Sequence, residues 1–433
     1  MTTTDSLAVL GAGPKALAIT AKRKVLSDLG WSVPQLFIVE KDKVAAHWLG
    51  DYGYTDGEQP LGTPPFKDVG FPYHSTCWDD DNLKVNMAMS AFSWQSFLIE
   101  SEQFARWIDR GRPAPNHSRW AQYLQWVADK IELDITFGAV TQIGLNGRRW
   151  RLDFTEADEA CIECDGLVIT GPGDPIPIPG RQEDHPLILN GRTFWNKIGD
   201  FVGRNRMVAV VGSGETAASV AATLHRVLDG SSQIDIINTE GAMYSRGESF
   251  DENRRFTHPG DWKTLTEGHR REFVKRTDRG VFSLQAKAVL DRAENVESRK
   301  GKVINVIPLD LKVKLEIQYD QETENHVYDY LIWATGFDPS CFKALLTDDA
   351  KEKVHNEVGS WSKDDIERRV ERDLSIERVR PRLHLPMFAS LRQGPGFPNL
   401  SALGHLSDRI LATYAKRLDE RNGGLIAREI TLA

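Results

Sequence analysis

Two short stretches constrain the fold of this chain more than any other feature. Residues 7–19 read LAVLGAGPKALAI and residues 207–220 read MVAVVGSGETAASV. Each is an apolar run, a glycine turn and a helical pattern. In the first copy, Leu7 to Leu10 predicts a buried parallel strand and Ala16 to Val25 a helix. Gly11 permits the tight turn, Gly13 lets the backbone approach a pyrophosphate, and Ala16 lets helix and strand pack closely. The helix N-terminus presents free N–H groups and a positive dipole end to an anion, and Pro14 beside it is expected among the dinucleotide contacts. In the second copy Gly212, Gly214 and Ala217 hold the same places, with the helix over Thr216 to Leu228.

The strands that follow differ at their ends. QLFIVE ends in Glu40, whose carboxylate suits ribose hydroxyls, whereas IDIIN ends in Asn238. A site without that carboxylate tolerates a 2′-phosphate. The first unit is therefore expected to hold FAD and the second NADPH. Glu240 lies near the second strand end, and Arg246, Arg204 and Arg206 are alternative cations for the phosphate. DGLVITGPG (165–173) and DYLIWATGF (329–337) match each other as apolar strands ending in Thr-Gly, each downstream of a glycine unit. Together these patterns predict an α/β protein with two Rossmann-like dinucleotide-binding domains and a smaller, mainly helical substrate region.

A length of 433 residues suits two or three domains. Hydrophobic residues at 40% and charged residues at 27% are enough to bury a sizeable core. A net charge of −8 argues against a nucleic-acid surface. No apolar run approaches the ~18 residues of a membrane span, and the first strand begins too early for a signal peptide. A cytoplasmic location is expected. Cys161 and Cys164 form a CxxC, but the surrounding ACIECDGLVITGPG reads as a β-ribbon running into a buried strand. A redox pair favours a helix N-terminus, so these cysteines are expected to be structural. No metal site is expected.

Residues 46–95 look irregular, rich in Gly, Pro and Asp, and a loop that long is usually functional. Residues 96–132 and 256–292 read as helical, and LSDRILATYAKRL as a closing amphipathic helix. In GHLSD, Ser407 or Asp408 suits an N-cap and His405 a packing position at the helix start. The resulting map gives 1–172 with 325–433 to the FAD domain. It gives 190–255 with 293–324 to the NADPH domain, and 256–292 to the substrate region.

Several longer stretches are more specific: LGTPPFKDVGFPY, FARWIDRGRPAPNHSRWAQYL, VVGSGETAAS, KRTDRGVFS and QGPGFPNLSALGHLSDRIL. Through them the chain resembles the flavin-dependent N-hydroxylating monooxygenases, above all the lysine N6-hydroxylases of mycobactin- and nocobactin-type siderophore pathways. The resemblance implies FAD contacts over EKDKVAAHW, so from Glu40 and Lys41 to His47 and Trp48, and again at Gly404, His405 and Leu406. It implies NADPH contacts at Ser213, Gly214, Glu215 and Thr216. Lys67 falls on the substrate-carboxylate lysine, Asn253 on a substrate asparagine and Ser407 on a substrate serine. Asp278 and Arg279 fall in a segment touching both NADPH and substrate. The family has Trp-His where this chain has His47-Trp48, glutamine at Gly62 and asparagine at Asp278.

The implied reaction passes hydride from NADPH to FAD, forms a C4a-hydroperoxyflavin with O₂, and oxygenates the side-chain amine of L-lysine. The cofactor does the hard chemistry, so no acid–base pair is expected. The amine must be neutral to react, against a usual pKa of ~10.4. L-Ornithine remains an alternative, because one methylene is worth only about 1–3 kcal/mol. A Baeyer–Villiger or sulfur-oxidising monooxygenase is a weaker alternative, because the FxGxxxHxxxW pattern is absent from ILNGRTFWNKIGDFVGRNRM. Two glycine motifs argue against a non-enzymatic regulator. Small molecules are the only expected partners, with self-association left open.

Overall fold

In the computed structural model, which describes residues 5–155, 161–180 and 185–417, both glycine motifs sit at the centre of parallel sheets. Ser6–Leu10 pairs with Gln35–Glu40 on one side and Gly166–Ile169 on the other. Arg382–His384 and Ile135–Phe137 complete five strands. Met207–Val211 likewise pairs with Gln233–Asn238 and Tyr330–Trp333, flanked by Val296–Lys300 and Ile188–Asn190. Leu7, Ala8 and Val9, and Val208, Ala209 and Val210, are fully buried. Strands covered on both faces read as unbroken apolar runs, as these do.

Each glycine strand feeds a helix, Pro14–Asp28 in the first unit and Glu215–Val227 in the second. Gly13 and Gly214 are the residues just before those helices. Each sheet carries its own core, one running from Leu7 to Ala415 and one built around Val208, Ala217 and Phe282. Two antiparallel ribbons extend the units, one of Ala139–Asn146, Arg149–Thr155 and Cys161–Cys164, the other over Lys302–Tyr328. Cys161 and Cys164 lie in one strand of the first ribbon, as the sequence predicts. Burial pushes the Cys164 thiol up to about 12, which suits packing and not thiolate chemistry.

The structure corrects four expectations. Tyr330–Trp333 hydrogen-bonds to Met207–Val211, so the second unit continues through Trp333 and the boundary at 325 is too early. Leu284–Leu290 packs its Ala286 and Leu290 into the second core, so the helical region 256–292 is not one separate body. Residues 46–95 contain the helix Asn82–Met89 and four short 3₁₀ turns rather than an irregular loop alone. The closing helix runs Leu403–Leu411, starting earlier and stopping sooner than the amphipathic pattern suggests.

The chain passes between the sheets along two segments, and these pair with each other. Asp174–Pro175 lies antiparallel to Phe337–Asp338, and Ile176 N donates to Gly336 O at 3.0 Å. Gly173, at φ +88°, approaches so closely that a Cβ there would lie 1.8 Å from Asp338 O.

Candidate functional site

The first glycine loop is shaped by contacts that exclude side chains. Gly11 has φ +97°, and a Cβ on it would lie 2.8 Å from Thr170 Oγ1. Thr170, at the end of the Thr-Gly strand, donates to Leu10 O at 2.6 Å. Gly13 has nothing within 4 Å of a built Cβ, leaving the helix N-terminus open. Glu40 accepts from Ala12 N at 2.8 Å and from the backbone of Lys41 and Asp42 at 2.9 and 3.0 Å. Its carboxylate is thus pinned beside the loop.

The second loop repeats the plan. A Cβ on Gly212 would meet Ala334 O at 2.3 Å, while Gly214 is approached only by Gly280 N at 3.9 Å. Here a further segment leans in: a Cβ on Gly280 would lie 3.2 Å from Ser213 Oγ. Glu215 accepts from Ser283 N at 2.6 Å and Ser283 Oγ at 2.8 Å, and burial pushes its carboxyl up. A Cβ on Gly62 would meet Glu215 Oε1 at 3.2 Å. The Glu215 carboxylate therefore occupies the space into which a longer residue 62 would point.

A cleft of about 370 Å³ opens beside the second loop, lined by residues of both units. Trp48, Leu61, Glu215, Thr216, Arg246 and Asp278 are among its lining residues. His47 also lines it, and burial with the Lys15 charge holds its imidazole down to about 4. His117 is held down to about 3 by burial and by His47, and contacts Trp48 edge-on at 5.0 Å. Both rings are therefore neutral near pH 7. Loop 50–63 of the first unit clasps the helix Glu215–Val227 from outside: Arg226 pairs with Asp56, and Gln59 Nε2 donates to Thr223 Oγ1 at 2.5 Å.

Lys67 and Asn253, 186 positions apart, meet at 3.2 Å between Nζ and Oδ1. Local chemistry sets both. Ser249 and Glu252 form a capping box that starts the helix Phe250–Thr257. Asn253 Nδ2 then donates to Glu248 O at 3.0 Å, which turns Oδ1 toward Lys67. Phe256, three residues on and so on the same helix face, lies under both the Lys67 ammonium at 5.9 Å and the Arg246 guanidinium at 5.0 Å. Burial, with Arg246 nearby, lowers the Lys67 ammonium to about 8, while Glu248 and Asp278 oppose the shift. Asp278 accepts from Asn399 Nδ2 at 3.1 Å and lies 3.4 Å from Arg279 Nε.

The Lys67 loop is tied to the closing helix. Asp68 accepts from Tyr73 Oη at 2.7 Å and from Trp94 N at 2.9 Å. Gly404 N donates to Phe71 O at 2.7 Å, and a Cβ on Gly404 would lie 2.4 Å from Gly70 O. His405 Nε2 donates to Thr257 O at 3.1 Å, and burial holds the ring down to about 4. Leu406 is fully buried. Ser407 is not an N-cap: it lies inside the helix and donates to Leu403 O and Gly404 O at 3.0 and 2.9 Å. It is fully buried and does not line the cleft. Lys41 is largely exposed and 4.0 Å from Asp42.

Sequence reasoning missed Phe256, Ser283 and Asn399. Asn399 stood in the recognised QGPGFPNL stretch, and Phe256 is three residues after Asn253, so both signals were present. Nothing local marked Ser283 as the partner of Glu215.

The sequence and fold have known counterparts. A family model described as L-lysine 6-monooxygenase/L-ornithine 5-monooxygenase matches residues 81–339. The chain is 41% identical over 434 residues to L-lysine N6-monooxygenase MbtG of Mycobacterium tuberculosis, covering 97% of this chain and 98% of that protein. The chain belongs to this family. Lysine monooxygenase NbtG of Nocardia farcinica superposes with a TM-score of 0.82 at 39% identity, over 94% of this chain and all of that one. The Kutzneria sp. 744 ornithine N-hydroxylase KtzI shares the fold, with a TM-score of 0.73 at 17% identity, over 95% of this chain and 99% of its own. Among the described residues, no helix is long and apolar enough to cross a membrane. Membership in the lysine and ornithine monooxygenases agrees with the family resemblance of the long stretches.

Proposed function

We propose that this family member is an L-lysine N6-monooxygenase that uses FAD, NADPH and O₂ and supplies N6-hydroxylysine for hydroxamate siderophore biosynthesis. The observation that carries the reading is the Lys67–Asn253 pair, whose ammonium shares the Phe256 ring with Arg246, a lining residue of the cleft between the two units. The first glycine cradle suits FAD: Gly13 leaves the helix N-terminus open, and Glu40 stands fixed at the strand end. The second suits NADPH at Gly212, Ser213, Gly214 and Thr216. When bound, the flavin and nicotinamide supply reduction and oxygen activation.

The residues of the chain bind, orient and exclude water. Lys67 receives the substrate α-carboxylate, since an unpaired charge in such a cleft costs several kcal/mol. Asn253 holds Lys67 in place. Asp278, fixed by Asn399, takes the α-ammonium, which keeps its carboxylate at the amino-acid end of the substrate and away from the reacting nitrogen. Trp48, Leu61 and Val281 give the cleft apolar walls that favour the neutral form of the side-chain amine.

The test compares Lys67→Ala with the wild type on L-lysine, L-ornithine and cadaverine, assaying hydroxylamine product. Lys67→Ala raises KM for L-lysine at least tenfold or abolishes product, while FAD content and basal NADPH oxidation persist. Cadaverine, lacking the carboxylate, is a poor wild-type substrate and loses less on mutation. Normal lysine hydroxylation by Lys67→Ala, or better turnover of cadaverine than of lysine by the wild type, refutes the anchor role.

A further inference from the structure

Arg246 was a candidate for the 2′-phosphate cation, but the structure gives it other surroundings. In a Rossmann unit that phosphate lies beyond the strand after the glycine helix, which here ends at Asn238. Asn238 Oδ1 is used within its own turn, accepting from Glu240 N at 3.0 Å and Gly241 N at 2.8 Å. The cations around that turn are Lys275, 3.4 Å from Glu240, and Lys300, packed against Gly241. No hydrogen bond or ion pair links the Arg246 side chain to the turn among the described residues.

Arg246 lines the cleft instead, with its guanidinium over Phe256. Its backbone N donates to Phe282 O at 2.8 Å, which holds its start in place. Its Nη2 is buried and has no hydrogen-bond partner among the described residues. Lys67, the other cation on the same ring, is 8% exposed, and among the described residues its ammonium donates only to a neutral amide oxygen. Two cations thus share one aromatic floor, and among the described residues neither makes an ion pair or hydrogen bond with a carboxylate, with Glu215, Glu248 and Asp278 acting only from farther off. A fold tolerates that arrangement where an anion arrives to complete it.

We propose that Arg246 and Lys67 together receive the α-carboxylate of the substrate over Phe256, with Arg246 directing its partnerless Nη2 at one carboxylate oxygen. This rests on the amino-acid substrate proposed above. A guanidinium and an ammonium on one carboxylate fix its position as well as its charge. The fixed carboxylate then sets which side-chain length brings the amine to the flavin.

Arg246→Gln and Arg246→Lys are tested as FAD-loaded enzymes, with dissociation constants for L-lysine, cadaverine and NADP⁺ from titration calorimetry. Arg246→Gln weakens L-lysine by about 10- to 100-fold, the loss of one charge-assisted hydrogen bond. Cadaverine and NADP⁺ stay within about threefold, by the same scale. Arg246→Lys recovers part of the lysine affinity. Weakened NADP⁺ binding with lysine unchanged makes Arg246 a dinucleotide residue and overturns the proposal. Equal losses for lysine and cadaverine overturn it too, because they indicate a change of cleft shape. If the wild type binds L-ornithine and not L-lysine, the lysine reading fails. The same comparison of ornithine with putrescine then decides the role of Arg246.

Discussion

Replacing Lys22 with Met removes one charge from a buried pair that joins the first glycine helix to the closing helix. The Lys22 and Asp408 side chains are 2% and 3% exposed, and Nζ lies 2.5 Å from Oδ1. Lys22 also donates to Ser75 Oγ at 3.0 Å. Asp408 Oδ1 further accepts from Trp78 Nε1 at 2.8 Å and Ser75 Oγ at 3.1 Å. In Lys22→Met the carboxylate keeps only these neutral donors. Breaking one side of such a pair costs about 3–5 kcal/mol. At roughly 2–4 °C per kcal/mol for a domain of ordinary size, Tm falls by roughly 6–20 °C. Lys22→Met/Asp408→Leu removes both charges and leaves only the Trp78 and Ser75 donors short of a partner, at about 1–3 kcal/mol. The double variant is therefore more stable than the single one. Urea unfolding of the FAD-loaded protein, read by tryptophan and flavin fluorescence, measures both. Flavin release should move with unfolding, because Asp408 shares its helix with Gly404, His405 and Leu406. A loss below about 1 kcal/mol in Lys22→Met, against the range expected for a buried pair, or a double variant weaker than the single, refutes this account.

Gly13→Val closes the first cradle and yields a protein without flavin, whereas Gly214→Val yields a yellow protein that NADPH does not reduce. Absorbance at the flavin band and anaerobic reduction separate the two, and the reverse pattern overturns the cofactor assignment. With the Lys67 ammonium lowered to about 8, its charged form is full below that pH and lost above it. KM for L-lysine is then flat at lower pH and rises as pH passes through about 8, while KM for cadaverine lacks that rise. A lysine KM that is level across that interval removes the charge of Lys67 from binding.

What was legible in the sequence was local and repeated. Gly11 and Gly212 announce turns that only glycine fills closely, and the Thr-Gly strands mark where Thr170 and Ala334 approach them. Long-range partners were less legible. Tyr330–Trp333 looks the same as a strand of either unit, and only its pairing with Met207–Val211 assigns it. Ser407 matches an N-cap by residue type, yet it lies inside a helix that begins at Leu403, and the close approach of Gly404 to Gly70 has no local signal beyond the glycine itself. Lys67 and Asn253 were matched separately through the family stretches, and their contact follows from tertiary packing alone. Arg246 had a plausible role by chain position, but the ring beneath it and its buried Nη2 exist only in the fold.

The paired crossover strands have a mechanical consequence. A single linker lets two bodies swivel about any axis. Here the two segments that carry the chain between the sheets are hydrogen-bonded side by side, with Gly173 pressed against Asp338 O. Swivelling would shear that ribbon, whereas bending across it leaves its hydrogen bonds intact. Relative motion of the two units is thus reduced to folding about one line, as a strip hinge restricts a door. The clasp of Arg226 on Asp56 acts as the latch on that motion, and as an ion pair with one exposed partner it loosens as salt rises.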